Sequence, residues 1–181
     1  INLKNFYKKE EDITIQNLEN FILENKENLK IEYINFKYAI INPKNLIGVD
    51  EFNQSFFDKI DQIEVDISNN TEFETIISNL NIVPINVKNF RLSSSNDPIE
   101  KKIFELKNIN FDIFESGDNF VIYKINNIEE RQPDLADIET KQEITKLVNQ
   151  KNKFDYNRNL LKKINNEEFT NDDFLLMGKN N

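Results

Sequence analysis

Residues 115–133 read ESGDNFVIYKINNIEERQP, and how this stretch is understood decides the fold. Ser116 to Asn119 has the composition of a hairpin turn, with Gly117 and Asp118 at its centre. The apolar run that follows, NFVIYKI, is a buried strand interrupted only by Lys124. A polar exit through Asn126 and Asn127 leads to Pro133, after which a helical pattern begins. The turn joins this strand to the one before it, INFDIF at 109–114. The open question is whether the strand walls a catalytic site or only carries a scaffold.

Further upstream, residues 31–43 (IEYINFKYAIINP) have a period of two. Ile34, Phe36, Tyr38 and Ile40 point one way and Tyr33, Asn35 and Lys37 the other, which is a strand with one firmly buried face, stopped by Pro43. Before it, residues 13–30 keep a helical period through Leu18, Phe21, Ile22 and Leu29, with Thr14 as cap, and residues 1–12 are a charged lead-in. A helical period returns at 48–67, with Asp50 as the expected cap and Phe52, Phe56, Ile60, Ile63 and Ile67 as the apolar stripe. Residues 68–82 make a turn and a second helix burying Phe73, Ile76, Ile77 and Leu80, where Thr71 and Glu74 match a capping box. Residues 83–92 (VPINVKNFRL) form a short strand, and Asp97 and Pro98 open a short helix as cap and first position.

Beyond Pro133 the texture changes. Residues 134–165 form one helix of roughly eight turns, or two with a break. Leu147, Phe154 and Leu161 recur every seven residues, and Ile144, Val148, Leu160 and Ile164 widen the stripe. Such a stripe suits packing on the chain's own helices, or a coiled coil with a partner or a second copy. The tail carries Phe169, Phe174, Leu175, Leu176 and Met177 among acids and is expected to dock intramolecularly. This order of elements specifies an α+β fold, a small mixed sheet of about four strands covered by helices. The changes of period set boundaries near residues 30 and 131. They delimit an N-terminal helical segment at 1–29, an α+β domain at 30–131 and a C-terminal helical segment at 132–181, the two flanking segments being free to pack together.

Fifteen Phe in 181 residues exclude disorder, because a disordered chain lacks the apolar surface to offset ordering entropy. The excess of Asn, Ile, Lys and Phe matches a codon bias toward A/T. Asn is scattered among Phe and Ile and makes no prion-like tract. A net charge of −9 and an isoelectric point near 4.7 repel phosphate backbones and set nucleic acid aside as a partner. Without Cys there is no disulfide or thiolate chemistry, and the compartment stays open. No apolar run approaches the ~20 residues that span a bilayer, and no signal peptide is visible. The first residue is Ile1, so the expectation is a processed or trimmed piece with room for an anchor upstream. The absence of His removes the commonest general base near neutral pH and the commonest metal ligand.

Strand, helix, helix, strand, helix, strand, strand, flanked by helices, resembles the parvulin-type folding factors of the bacterial periplasm. These are the PpiC-type peptidyl-prolyl isomerase chaperones related to SurA and PpiD. Residues 13–36 (ITIQNLENFILENKENLKIEYINF) look like the family's helix, rich in Glu and Asn, that leads into a first strand. Residues 69–82 (NNTEFETIISNLNI) look like its short helix after a polar turn, with Phe73 near a usual Phe. Residues 97–144, from DPIEKKIFEL to ETKQEI, look like its closing helix, two strands, proline exit and long helix. The pattern covers most of the chain, and none of its motifs is individually diagnostic.

The departures bear on activity. An active member has histidines on the sheet beside a Cys or Asp, facing an apolar proline pocket. The family's last strand commonly reads Gly-Tyr-His-Ile-Ile-Lys. Here Asn119 stands for the Gly, Phe120 for the Tyr and Val121 for the His, while Tyr33 sits near the place of the other His. The family's Gly-Gly-Asp-Leu-Gly turn is missing. The resemblance therefore implies a parvulin-like domain that is degenerate at Tyr33 and Val121, with no catalytic residue, metal or cofactor. Phe90, Ile103, Phe104 and Phe120 would surround the former proline pocket and bind peptide. The implied partners are unfolded or nascent polypeptides and the implied compartment is the periplasm. Two alternatives stand beside this: an isomerase that works through Tyr33, Asn35 or Asp118, and an adaptor that docks through its long helix.

Other chemistry finds little support. Glu167, Glu168, Asp172 and Asp173 form a solvated acidic face, because no loop follows an EF-hand pattern. Nothing in the spacing selects a glycosidase carboxylate pair. Ser93 to Ser95 have no His to activate them, and a Ser–Lys dyad needs a Lys at a defined distance. No glycine loop is present to cradle a phosphate.

Overall fold

The structure, a computed structural model, describes residues 13–179. The lead-in at 1–12 lies outside the described residues. The chain divides into two compact units, one running from residue 31 to 131 and the other combining the segments on either side of it. The elements in order are α1 (Ile15–Glu24), β1 (Ile31–Ile41), α2 (Pro43–Ile47), α3 (Gln54–Ser68), α4 (Phe73–Leu80), β2 (Ile85–Phe90), α5 (Pro98–Glu105), β3 (Phe111–Ser116), β4 (Asn119–Arg131), α6 (Ile138–Asn165) and α7 (Asn171–Lys179).

The fold is α+β. The unit from 31 to 131 is built on a four-stranded sheet in the order β2-β1-β4-β3. All of its neighbours are antiparallel, where a mixed sheet was expected. The hairpin at Gly117 sets the β3–β4 pair. The helices α2 to α4 return the chain to the other side of β1, so that β2 also runs against it. Gly117 has a φ of +59°, a left-handed conformation that side chains with a Cβ rarely adopt.

Alternation along β1 and β4 divides the core into two layers. Ile34, Phe36, Tyr38, Val121, Tyr123 and Ile125 point to the face covered by α5, where they meet Phe90 and Ile103. Ala39, Ile41 and Ile122 point to the opposite face. There they meet Phe56, Ile60 and Ile63 of α3 and Phe73, Ile76 and Ile77 of α4. Two irregularities adjust the sheet near Asn35: the β1–β4 register shifts between Asn35 and Phe36, and β2 bulges opposite. The bulge places Asn89 at a φ of +52°, which Asn tolerates better than most residues.

Three helix starts differ from expectation. Pro43 ends β1 but also opens α2, because Asn42 and Asn45 cap each other reciprocally. The cap of α3 is Asn53, whose Oδ1 accepts from the Phe56 N–H at 3.1 Å. Asp50 is not the cap, and Phe52 therefore precedes the helix and stays exposed. At α4 the cap position falls on Glu72, which makes no side-chain cap bond. The Thr71–Glu74 capping box does not form, since the Thr71 N–H is held by the Asp66 carbonyl at 2.9 Å.

In the second unit, Leu18 of α1 packs on Ile144 and Val148 of α6, with Phe21, Ile22, Leu29 and Leu135 around them. α6 is one continuous helix of 28 residues, capped by Asp137 and ending in Lys162 and Lys163, as its dipole favours. Its heptad residues Leu147, Phe154 and Leu161 are exposed. α1 has only ten residues and covers the face of Ile144 and Val148 instead. Phe174 and Leu175 of α7 are exposed too, against the expected docking of the tail. The side chains of Leu176 and Met177 lie outside the described residues.

Phe36 is wholly buried between β1, β2 and α5, so Phe36→Ala is expected to destabilise the chain by about 3–5 kcal/mol. Gly117→Ala has open space for its Cβ and pays only for the turn's φ, at about 1 kcal/mol. Urea unfolding followed by circular dichroism measures both.

Candidate functional site

The face of the sheet beneath α5 is where a proline pocket was expected. Phe90 and Ile103 are there, and Phe104 lies half-buried beside them. Their rings interlock: Phe36 meets Phe90 edge-on at 5.6 Å, and Phe90 meets Phe104 at 5.9 Å. Val121 forms the floor, and neither it, Ile103 nor Tyr123 exposes any surface. The four residues proposed to bind peptide do not form one pocket. Three join a closed core, while Phe120 lies on the opposite face against Phe56, at 5.8 Å. The pleat explains this, because Phe120 and Val121 are consecutive in a strand.

The two positions that stand for the family's histidines are also separated. Tyr33 pairs with Glu129 near one end of the β1–β4 ladder, and Val121 pairs with Ile40 near the other. Tyr33 and Asn35 share a face on which Val121 does not appear. Asp118 lies in the hairpin turn, far along the ladder from Tyr33. The three side chains suggested for a histidine-free isomerase are not brought together.

Tyr33 and Asn35 belong to a polar cluster that the linear reading missed. The Arg131 guanidinium lies over the Tyr33 ring at 4.7 Å, pairs with Glu129 and donates to the Asn89 Oδ1 at 2.7 Å. The Asn89 N–H in turn donates to the Asn35 Oδ1 at 2.7 Å. These bonds hold the left-handed bulge of β2. They tie Asn35, Asn89 and Arg131 to one another, so the cluster reads as a clamp on the sheet. Next to it, Lys37 and Lys124 reach Glu74 of α4, and Lys124 also reaches Glu72. Glu74 titrates below the usual carboxylate range because its own backbone N–H bonds it at the helix start, with both lysines adding to the effect.

Two phenols, Tyr38 and Tyr123, are buried in the α5 face. Burial pushes Tyr123 up to about 12, with Asp112 adding to it, and its hydroxyl faces the Leu106 carbonyl at 3.5 Å. Tyr38 is raised by burial and then by Asp97 and Glu100 of α5. Both are neutral donors at neutral pH. Charged groups stand at the edges of this face: Asp97 and Glu100 near Tyr38, Asp112 near Tyr123, and Lys107, which pairs with Glu32 and lies over the Phe104 ring at 4.2 Å.

Two open concavities are lined by residues of the helical unit. One, of about 510 Å³, lies between α1 and the segment leading into α6 and is mainly apolar. Ile22, Leu23, Pro133 and Leu135 line it, with Glu19, Lys26, Gln132 and Asp134 at its edges. Gln132 Nε2 donates to the Lys26 carbonyl at 3.0 Å and ties one rim to the other. Leu23 is 71 % exposed. The size is within the range of ligand sites, and a few polar groups around an apolar floor is their usual chemistry. A second concavity of about 350 Å³, on the other side of α1, is polar and crossed by the Lys151–Glu24 ion pair at 3.2 Å. The sequence carries one signal for the apolar cleft: Phe21, Ile22 and Leu23 are contiguous, more apolar width than a single buried stripe requires.

Among the described residues, no group of three or more acids is placed to hold a metal ion, and no helix is long and apolar enough to cross a membrane. No known family model, curated protein or solved structure matches the chain.

The raised phenol of Tyr123 has a consequence for stability. An unfolded tyrosine titrates near 10, so its contribution is intact below that pH. Between about 10 and about 12 the native state keeps a proton that the unfolded chain has lost, and stability falls as pH rises. Urea midpoints taken across that window are expected to decline, and Tyr123→Phe is expected to flatten the decline.

Proposed function

We propose that this chain is a parvulin-like folding factor that holds unfolded polypeptide and does not accelerate prolyl isomerisation. The observation that carries the proposal is the contrast between a filled sheet face and an open helical cleft. Where a prolyl ring would enter, Phe90, Ile103 and Val121 make solid core. The cleft at Ile22, Leu23 and Leu135 offers apolar surface to a client side chain. The order of elements, β1, then helices, then β2, α5, β3 and β4, with helices at both ends, supports the parvulin-like reading. It departs from the expected order only by the short α2.

On this reading the client contacts the cleft through one or two apolar residues of an extended segment. The net charge of −9 keeps the loaded complex in solution by repulsion between complexes. Work in the periplasm belongs to the same proposal.

Aggregation of a chemically denatured client, followed by light scattering, tests the holding activity, and suppression at stoichiometric ratios is expected. Leu23→Glu removes exposed apolar surface without touching the core and is expected to weaken client binding about tenfold. Protease-coupled isomerisation of a prolyl peptide is expected to run at the uncatalysed rate. Client aggregation undiminished by the wild-type chain would end the proposal. A catalysed rate abolished by Tyr33→Phe would replace it with the enzyme reading.

A further inference from the structure

The helix α6 has a charge opposite to that of the chain it belongs to. Ile138–Asn165 carries seven Lys or Arg against three Asp or Glu, within a total of −9. Beyond the turns that α1 covers, its outer side presents Phe154, 64 % exposed, and Leu161, with Arg158 and Lys162 beside them. Along this helix Lys151 pairs with Glu24 of α1 and Lys163 with Asp173 of α7. Arg158 pairs with Asp155 three residues away and lies over the Phe154 ring at 5.9 Å. An exposed pair of that kind is worth little and is easily exchanged.

A second α6 is a poor occupant for this face, because two such helices would set Arg158 and Lys162 against their own kind. An anionic bilayer is also a poor one, since it repels the rest of a chain with this net charge. The face needs an apolar partner carrying carboxylates, and the chain itself has one. α3 carries four acids and one lysine, and its outer side presents Phe57 on the same line as Asp61 and Glu64. Phe57 is 43 % exposed and stacks on Phe52, exposed to 44 %, at 6.1 Å. Its buried side, Phe56, Ile60 and Ile63, is engaged by the core, and Phe52 and Phe57 rest edge-on against the Phe56 ring while their outer surfaces stay exposed.

We infer that the chain self-associates by seating the basic, apolar face of α6 in one copy on the acidic, aromatic face of α3 in a second copy. Each copy offers both faces, and a single contact of this kind already pairs two copies. The inference is independent of the proposed holding activity. A chain without client binding can still dimerise in this way.

Sedimentation of the full chain over a range of concentrations and salt tests it. The wild type is expected to associate at low salt and to dissociate as salt screens the charges. Arg158→Glu with Lys162→Glu in one variant, and Asp61→Lys with Glu64→Lys in another, are each expected to weaken association about 10- to 100-fold. Mixing the two variants in equal amounts restores complementary charge between copies and is expected to restore the dimer. All four side chains are exposed, and circular dichroism checks that both variants fold. The inference is overturned by a wild type that stays monomeric, by an α3 or α6 variant that associates as well as the wild type, or by variants whose mixture does not recombine. Association that is insensitive to salt would overturn it even if the variants did not fold.

Discussion

β1 pairs with β4 along its whole length, and toward the β3–β4 hairpin this pair is apolar on both faces. Ala39, Ile41 and Ile122 cannot be left in water on one side, nor can Phe36, Tyr38, Val121 and Tyr123 on the other. The sheet therefore needs two covers, and the chain supplies them in order: α3 and α4 before β2, then α5 after it. A strand pair of this kind accepts no groove between itself and its helices without losing the dispersion contacts that hold all three layers. The filled face under α5 is thus a consequence of how the sheet is stabilised. Asn89 and Arg131 extend that economy to the edge, where a left-handed bulge is fixed by side-chain bonds.

The distribution of charge follows a different logic from the distribution of apolar residues. Acids dominate the total, yet cations concentrate on α6 and carboxylates on α3. A uniformly acidic surface would serve solubility alone. Segregation of sign onto helices that also expose Phe154, Leu161 and Phe57 gives two faces with opposite fields and a shared need for cover. The short-range pairs on the sheet do another job. Lys37 and Lys124 neutralise Glu72 and Glu74 where α4 crosses the strands, next to a partly desolvated surface.

How much was legible depended on whether a signal is local. The period of two in β1, the hairpin at Gly117 and the Asp97–Pro98 helix start are all set by neighbours in sequence, and each is present. Helix starts at α3 and α4 were misplaced because several polar residues compete there and tertiary bonds choose among them, as the Thr71 N–H bond to Asp66 illustrates. Grouping Phe120 with Phe90 was an error of pleat, correctable from strand parity alone. The Arg131–Asn89–Asn35 clamp joins residues 42 and 54 positions apart, and no linear pattern marks it. The apolar cleft, whose walls come from both sides of the sheet-bearing unit in sequence, has only the contiguous Phe21, Ile22 and Leu23 to mark it. The heptad at Leu147, Phe154 and Leu161 was read correctly as a stripe, but a stripe says nothing of its occupant.

Holding and accelerating make different demands on such a scaffold. Rotation about a peptide bond meets a barrier of about 18–20 kcal/mol, which comes from amide resonance. Lowering it requires groups that favour the twisted amide over the planar one, fixed beside the prolyl ring. Here the corresponding face offers Tyr38 and Tyr123, both neutral and enclosed, with Tyr123 directed at a backbone carbonyl. Phe90, Ile103 and Val121 fill that layer. Opening it would require breaking the core that keeps β1 and β4 together. The apolar cleft is lined by residues of the helical unit, none of which belongs to the core that holds β1 and β4.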